Sequence, residues 1–187
     1  NLYKDRLRTM EIKARQQMLA GKTDIIVDNS LQRFFNRQLE VWKDVSARYR
    51  DLHNVQMKQL GDIKVQFNPA RIVSTGAKID SKTLEKRPCF LCDTNRPKEQ
   101  MAKYLDDKFS LLVNPFPILP THFTVPAKRH QLQSIKKNYG EIYKILSRFD
   151  DIIVFYNGPK CGASAPDHMH FQAGTSGIIP LRTEWQR

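Results

Sequence analysis

The sequence has few cysteines and no long apolar run, and both absences limit what the protein can be. Its three cysteines are an odd number, and no apolar segment follows a basic start as in a secretory signal peptide, which argues against a disulfide framework. No apolar run reaches the length that a bilayer-spanning helix needs. The cytoplasm is therefore the expected compartment, and no membrane partner is expected.

Acidic residues are few as well. The 187 residues include 31 lysines and arginines against 19 aspartates and glutamates, which leaves a formal net charge of +12. Such an excess favours anionic partners, namely nucleotides, nucleic acid or acidic surfaces. Because the basic residues are spread along the chain and form no basic tail, the charge alone does not choose among these partners.

The N-terminal third has the pattern of helices. Residues 3–20 form a basic helical segment with Gly21 as its stop, and a longer helix follows that Gly61 ends. Apolar residues of the longer helix recur at intervals of three and four, which places them on one face. They are Leu31, Phe34, Phe35, Leu39, Trp42, Val45, Tyr49 and Leu52. The pattern predicts a helical extension over residues 1–62 that packs on a core formed by residues 63–187.

The core alternates short strands with one helix. Its strands are predicted at Ile63–Phe67, 109–114, His122–Pro126, 151–156 and 168–173. A helix is predicted over residues 131–149, with Leu132, Ile135, Tyr139, Ile142, Ile145, Leu146 and Phe149 as its apolar face. The strand connections are short except for this helical crossover. The expected class is therefore α+β, an antiparallel or mixed sheet with a helix packed on one face.

The last predicted strand, with the sequence HMHFQA, carries the most informative pattern. Side chains alternate across a strand, so His168, His170 and Gln172 share one face, while Met169 and Phe171 face the core. Just before the strand lies a loop of small residues, Gly158, Gly162, Ala163, Ser164 and Ala165. Small residues let backbone N–H groups approach an anion closely, as a phosphate site requires. The alternative is that both histidines lie on the solvated face of an edge strand.

The segment FYNGPKCGASAPDHMHFQAG resembles the signature of the histidine-triad (HIT) superfamily, in its HxHxQ branch. That branch contains galactose-1-phosphate uridylyltransferase, diadenosine tetraphosphate phosphorylase and GDP-L-galactose phosphorylase. The upstream segment NPFPILPTHFTVPAKRH is also similar to the strand–turn–strand of the superfamily. The resemblance covers about residues 89–174 and implies a HIT-like sheet. The helical N-terminal third has no counterpart in the core superfamily.

The resemblance implies a double displacement through a covalent nucleotidyl-histidine. His170 would attack the α-phosphorus, because a neutral imidazole needs little activation near pH 7. Hydrolases of the superfamily have a third histidine where Gln172 stands, and an amide donates hydrogen bonds without shuttling a proton. Gln172 therefore favours transfer to phosphate or a sugar phosphate over hydrolysis. Ser164, with the loop near Gly162 and Ala163, would hold the α-phosphate.

Further residues would contact the substrate. The resemblance places Asn114 at the nucleotide's ribose or phosphate, with Asn157 as a weaker candidate. Lys160 would neutralise the polyphosphate, although a loop lysine is more often simply solvated. Arg71 and Lys78, in the loop before the CxxC, are weaker candidates still. The implied donors are NDP-sugars or dinucleoside polyphosphates, and relatives occur both as monomers and as homodimers.

Cys89 and Cys92 form a CxxC, which in the cytosol indicates a metal site or a redox pair. Two further ligands would close a tetrahedral zinc site. The uridylyltransferase pattern supplies them at positions that match His130 and His168, so the resemblance implies a structural zinc. His122 is the alternative fourth ligand, and a CxxC without metal remains the other interpretation.

Three functions compete. The first is a nucleotidyltransferase or phosphorylase, and the second is a nucleotide hydrolase of the same fold. The third is a zinc-containing nucleic-acid-binding module in which the histidines are incidental. A nucleic-acid binder would interleave aromatic with basic residues on a strand face and would not need the small-residue loop. The sequence lacks that interleaving, which favours nucleotide and phosphate over nucleic acid as partners.

Overall fold

A computed structural model describes residues 30–61, 63–76, 78–149 and 152–175. The basic helix predicted at residues 3–20 lies outside these ranges. Within them, no helix is both long enough and apolar enough to cross a membrane.

Two helices replace the single long helix that the apolar stripe predicts. Helix α1 spans Ser30–Val41 and helix α2 spans Lys43–Asp51. Trp42 separates them with φ −108° and ψ 85°, outside the helical region. The hydrogen bonds continue across this break, because the N–H of Trp42 donates to Gln38 and its carbonyl accepts from Ser46. The break is therefore a local kink in a helical segment that ends at Asp51.

The helical segment packs on the core as its apolar stripe predicts. Buried members of the stripe are Phe35, Val45 and Tyr49. A buried polar residue also fixes the position of the helical segment through hydrogen bonds. Gln38 is fully buried, and its amide nitrogen donates to the carbonyl of Glu99 at 2.7 Å while its amide oxygen accepts from the N–H of Met101 at 2.6 Å. These paired bonds fix the helix at one position along the chain that leads into the sheet.

A hairpin follows the helices; its second strand is the one predicted at Ile63–Phe67, whereas its first strand was assigned to the long helix. Strand β1 (Gln56–Leu60) pairs antiparallel with β2 (Ile63–Phe67). Gly61, expected to end a helix, lies in the hairpin turn with φ 58°, a conformation that glycine adopts without steric cost. The hairpin forms because pairing satisfies the backbone groups of both segments. Two short helices come next, α3 at Ile72–Thr75 and α4 at Ser81–Lys86.

Five strands form the main sheet. They are β3 (Ala102–Tyr104), β4 (Ser110–Val113), β5 (His122–Pro126), β6 (Ile152–Phe155) and β7 (His170–Thr175), in the order β3-β4-β5-β7-β6. Every strand pairing in the described part of the chain is antiparallel. The predicted α+β class, with a helical N-terminal part, is confirmed. Because β7 lies between β5 and β6, the alternative of a solvated edge strand is wrong. Strand β7 begins at His170, two residues later than predicted.

The crossover helix α5 spans Tyr139–Leu146 and is shorter than the predicted 131–149. Its first predicted turn cannot form because the carbonyl of Gln131 accepts from the N–H of Met169 at 2.6 Å. That bond ties the chain to the start of β7. The predicted apolar face is correct at its C-terminal end, where Ile145 and Phe149 are buried, and wrong at Leu132, Tyr139 and Leu146, which are exposed.

The connection between β4 and β5, with the sequence PFPI at residues 115–118, is held by side chains. Prolines in it have no N–H to donate, so it cannot extend the sheet ladder. Four consecutive carbonyl groups instead accept from four side chains of the preceding segments. The bonds are Arg48–Pro115 (2.9 Å), Arg71–Phe116 (3.1 Å), Asn68–Pro117 (3.2 Å) and Gln66–Ile118 (3.4 Å). Helix α2 and the chain after β1 thus support this loop, which is named the proline loop below.

We expect Gly174→Ala to destabilise the fold. A Cβ atom at Gly174 would lie 2.5 Å from both Leu119 Cδ1 and the carbonyl oxygen of Thr121, and the paired backbone cannot withdraw without breaking the β5–β7 ladder. Overpacking of this kind costs about 1–3 kcal/mol of unfolding free energy, measurable by urea denaturation.

Gly140→Ala is the matched control. A Cβ there meets no atom within 4 Å, and the residue lies in helix α5. Alanine should stabilise this position by about 0.5–1 kcal/mol. A Gly174→Ala protein as stable as the wild type would contradict the packing described for this strand pair.

Candidate active site and metal centre

His170 opens strand β7 with its side chain held in one orientation. It is 5% exposed, and its Nδ1 lies 2.8 Å from the carbonyl oxygen of His168. A carbonyl can only accept, so Nδ1 carries the proton and Nε2 keeps a free lone pair. Burial lowers the pKa of His170 below its ordinary value, although this hydrogen bond opposes the shift. The ring is therefore neutral at pH 7, with Nε2 as its nucleophilic atom.

Gln133 fixes the backbone of His170, and the sequence analysis missed it. It is 4% exposed, and its amide oxygen accepts from the N–H of His170 at 2.7 Å. Its amide nitrogen donates to the carbonyl of His170 at 3.0 Å and to that of Asn157 at 2.8 Å. One amide thus joins the start of β7 to the end of β6. No signal in the sequence marks this role, because Gln133 lies in a segment with a helical pattern.

Buried His122 and half-buried Gln172 form a hydrogen-bonded pair on neighbouring strands. The N–H of Ile118 donates to His122 Nδ1 at 3.2 Å, so the proton of His122 is on Nε2. That Nε2 lies 2.7 Å from the amide oxygen of Gln172 and donates to it. The amide nitrogen of Gln172 in turn donates to Asn157 at 2.5 Å. The Gln172 amide is therefore held through both its oxygen and its nitrogen. The second hydrogen of its NH₂ group remains as a donor.

A cavity of about 430 Å³ opens beside these residues. Five of the predicted site residues line it, namely Asn114, Gly162, Ser164, His170 and Gln172. Gly162 has φ 86°, a conformation that favours glycine in the small-residue loop. The small-residue loop, strand β7 and Asn114, which were predicted to share a site, therefore line one cavity.

The other predicted contact residues lie elsewhere. Asn157 is behind Gln172 and reaches the cavity only through it. Ala163 is buried and does not line the cavity. Lys160 and Lys78 are exposed and lie outside the cavity lining.

The N-terminal segments also line the cavity, and of their lining residues only Arg71 was a candidate from the sequence. Trp42 and Arg48 reach the cavity from the helices, and Arg71 and Ser74 reach it from the segment after β2. Phe116 of the proline loop lies beneath the Arg48 guanidinium, whose Cζ is 4.5 Å from the ring centroid. Arg71 had been a weak candidate from the sequence. The helical part is thus a component of the cavity and not only a support.

The four predicted metal ligands come together next to the start of β7. The Sγ atoms of Cys89 and Cys92 and one ring nitrogen each of His130 and His168 lie within 4.8 Å of one another. His168 Nδ1 is 3.2 Å from the sulfur of Cys89 and 3.5 Å from that of Cys92, and His130 Nδ1 is 3.3 Å from Cys92. Two thiols and two imidazoles at such spacing could hold a metal ion, and this is a donor set that zinc uses.

Several details of this cluster fit a metal ion. The Nε2 atom of His168 lies 2.7 Å from the carbonyl oxygen of Ala127 and donates to it, which leaves Nδ1 unprotonated for a metal. Burial raises the pKa of the Cys92 thiol, and neighbouring Cys89 raises it further. A bound cation supplies the positive charge that allows both thiols to ionise. His122, the alternative ligand, is occupied by Ile118 and Gln172 and lies outside the cluster.

The chain belongs to the family described as Domain of unknown function (DUF4922), whose model matches residues 34–175. No curated protein matches the chain significantly.

Three solved structures are similar to part of this chain. A histidine triad protein from Clostridium difficile is 21% identical, with 49% of this chain and 90% of that chain covered and a TM-score of 0.37. A HIT family hydrolase from Clostridium thermocellum is 17% identical, with coverage of 49% and 91% and a TM-score of 0.37. The yeast Ap4A phosphorylase in complex with AMP is 20% identical, with coverage of 79% and 52% and a TM-score of 0.46. At these identities and TM-scores, the likeness assigns no activity to this chain.

We expect the stability of the fold to fall below pH 6.5 partly through His122. Burial lowers the pKa of His122 to about 4, whereas the same residue in the unfolded chain titrates near 6.5. Between these values the unfolded chain binds the proton and the folded protein does not. The contribution of neutral His122 to the free energy of unfolding is fully present above pH 6.5. It is lost as the pH falls toward 4, which lowers that free energy by about 3 kcal/mol.

The measurement is the free energy of unfolding against pH for the wild type and for His122→Gln. Glutamine does not titrate and keeps an N–H donor toward Gln172, so the variant should show a flatter dependence between pH 6.5 and 4. A difference between the two proteins that stays constant across this range would refute the assignment of the low pKa to His122.

Proposed function

We propose that this protein is a nucleotidyltransferase or phosphorylase that carries a nucleoside monophosphate on His170. The observation that supports this most directly is the state of the His170 ring. It is neutral, its Nδ1–H is held by the His168 carbonyl, and it lines a cavity together with Gln172 and Ser164. A side chain so oriented needs no separate base to act as a nucleophile.

In the first step, the Nε2 lone pair of His170 attacks the α-phosphorus of the donor. An N–P bond forms, the bond from phosphorus to the bridging oxygen breaks, and the leaving phosphate keeps that electron pair. The positive charge that develops on the ring is stabilised by the Nδ1–H bond to the His168 carbonyl. In the second step, an oxygen of the acceptor phosphate attacks the same phosphorus, and the N–P bond breaks to return the neutral imidazole.

Gln172 favours phosphate over water as the acceptor. One hydrogen of its NH₂ group is used on Asn157, and the other can be donated to an oxygen on the transferred phosphorus. The amide cannot give or take a proton, and a phosphate leaving group does not need one. Water would need a base to lose its proton, and the amide supplies none. Transfer to phosphate or a sugar phosphate is therefore the reaction that this residue supports.

Nucleoside and α-phosphate have separate walls of the cavity. Ser164 and the turn at Gly162 offer small polar groups at the His170 end. Asn114, fixed by a 3.0 Å bond from its amide nitrogen to the hydroxyl of Thr124, is placed for a ribose or phosphate oxygen. The apolar residues of the lining, which would contact a base, are Trp42, Phe90, Leu91, Pro97 and Phe116. An NDP-sugar or a dinucleoside polyphosphate is the donor class that such a cavity accommodates.

We further propose that Cys89, Cys92, His130 and His168 hold a structural zinc ion. Two thiolates and two imidazoles close the tetrahedron without leaving a position for water. Such an ion links the CxxC knuckle to the chain just before β7. It would stabilise the segment whose carbonyl orients His170.

We expect His170→Ala to abolish formation of a covalent adduct. The wild-type protein, incubated with a panel of dinucleoside polyphosphates and NDP-sugars without added phosphate, should gain the mass of one nucleoside monophosphate. The adduct should be acid-labile, since an N–P bond links it to the ring. Intact-mass spectrometry reads out both the adduct and the identity of the base.

His53→Ala is the matched control, because His53 is exposed on the turn after α2 and lies outside the cavity lining. It should form the adduct as the wild type does. An adduct that persists in His170→Ala would remove His170 as the nucleophile. Phosphate-independent release of nucleoside monophosphate without an adduct would indicate hydrolysis, and salt-sensitive oligonucleotide binding without turnover would indicate a nucleic-acid module.

We expect Cys89→Ser to lose bound zinc and stability, whereas Cys161→Ser should lose neither. Cys161 is an exposed cysteine outside the metal cluster, so it controls for removal of a thiol. Zinc content measured by mass spectrometry should be about one ion per chain in the wild type and in Cys161→Ser. The melting temperature of Cys89→Ser should fall by roughly 10 °C, the shift that about 3 kcal/mol produces in a chain of this size. Equal zinc content in all three proteins would disprove the assigned ligand set.

A further inference from the structure

The CxxC knuckle at residues 89–92 meets the start of β7 although the two segments are far apart in the chain. Cys89 and His168, two of the proposed zinc ligands, are separated by 79 positions. The segment of His130 is tied to β7 by its backbone, because the N–H of Met169 donates to the carbonyl of Gln131 at 2.6 Å. The knuckle lies outside the strands of the described part of the chain, so its attachment here is through side chains.

Arg87, two residues before Cys89, contacts both sides of this junction. Its Nη2 atom donates to Oδ1 of Asp167 at 2.7 Å, and Asp167 directly precedes His168. Its guanidinium carbon lies 4.7 Å from the ring centroid of Phe90, which lies between the two cysteines of the knuckle. One guanidinium therefore joins the knuckle to the residue before a proposed metal ligand.

The ion pair is largely sheltered from solvent. The side chains of Arg87 and Asp167 are 20% and 15% exposed. A charge-assisted hydrogen bond in such surroundings is screened less than one at the surface, and loss of either partner leaves the other charge uncompensated. Beside it, Leu91 and Ala165 are buried in a small apolar cluster with Cys89. Neither contact requires a metal ion.

The backbone of Arg87 is fixed by the end of helix α4. Its N–H donates to the carbonyl of Thr83 at 3.0 Å, and its φ of −87° and ψ of 142° end the helix. At the other end of α4, the N–H of Thr83 donates to the side chain of Asp80 at 3.0 Å, which caps the helix. The Arg87 side chain thus extends from a backbone of defined conformation toward Asp167.

We propose that Arg87 and Asp167 are positioning residues for the metal centre, and that their ion pair holds the CxxC knuckle against the segment before β7 even without a metal ion. The identity of the ion rests on the proposed zinc site, whereas the docking of the knuckle does not. Ligands that are already assembled bind a metal more tightly, because binding then has to order less of the chain. Residues outside the ligand set typically change metal affinity by about 10–100-fold.

The first measurement tests the docking of the knuckle in metal-free protein. Zinc is removed with a chelator, and the reaction of each cysteine with a maleimide is followed by peptide mass spectrometry. Cys89 is buried and Cys161 is exposed, so in the wild type Cys89 should react at least about tenfold more slowly than Cys161. Arg87→Gln and Asp167→Asn should each accelerate labelling of Cys89 at least about tenfold by opening the knuckle, with Cys161 unchanged.

The second measurement is zinc affinity, obtained by competition with a chromogenic chelator. Each single variant should bind zinc at least about tenfold more weakly than the wild type. The double variant should be no weaker than either single variant, because one substitution already breaks the pair. Arg87→Lys keeps the charge and should retain part of the affinity.

Arg37→Gln is the matched control. Arg37 forms an ion pair with Glu40 on helix α1, and both side chains are exposed, at 71% and 68%. The variant therefore removes a paired arginine outside the Cys/His cluster, and it should label and bind zinc as the wild type does. Each variant is compared with the wild type by its thermal melt. Asp167→Asn breaks the pair from the other side and keeps the test valid if Arg87→Gln does not fold.

Three results would overturn the inference. Equal labelling of Cys89 and Cys161 in metal-free wild-type protein would show that the knuckle is not held without metal. Labelling of Cys89 at the wild-type rate in both single variants would show that the ion pair does not hold it, and unchanged zinc affinity would show that docking does not assemble the ligands. Failure of the proposed zinc site has a different signature, in which the wild type binds no zinc while the labelling rates still report on Arg87 and Asp167.

Discussion

The hydrogen bond from His170 Nδ1 to the carbonyl of His168 is the constraint on which the site depends. It joins His168, which lies just before β7 in the Cys/His cluster, to His170, which opens β7 and lines the cavity. The His168 ring contacts the carbonyl of Ala127 through Nε2 and the sulfur atoms of Cys89 and Cys92 through Nδ1, so the residue whose carbonyl sets the His170 tautomer is held from two sides. The Cys/His cluster and the cavity are thus joined through His168.

Amide side chains position several segments of the structure, and two of them, Gln38 and Gln133, are buried. Gln133 holds the backbone of β7, Gln172 bridges His122 and Asn157, and Gln38 fixes the helical segment. A buried amide left without partners would cost free energy, so each pairing favours one arrangement over its alternatives.

The fold class was within reach of the sequence because it rests on local patterns. Alternation in HMHFQ put His170 and Gln172 on one face and the CxxC marked the knuckle, whereas His130 and His168 were matched to the knuckle only through the resemblance to the HIT superfamily. The contributions of Gln133 and Arg48 were out of reach, since each depends on a contact between segments distant in the chain. The first strand of the hairpin, Gln56–Leu60, was missed for another reason: the glycine turn after it resembles a helix stop, and only the pairing distinguishes the two.

The proline loop has a consequence for how the cavity can vary. Its carbonyls bind side chains and not a neighbouring strand, so its shape is encoded in a few exchangeable residues of the segments before it. Substitutions there remodel one wall of the cavity without disturbing the ladder that carries His170. Substitutions in residues 48–71 can therefore reshape the cavity while strand β7 keeps its pairing.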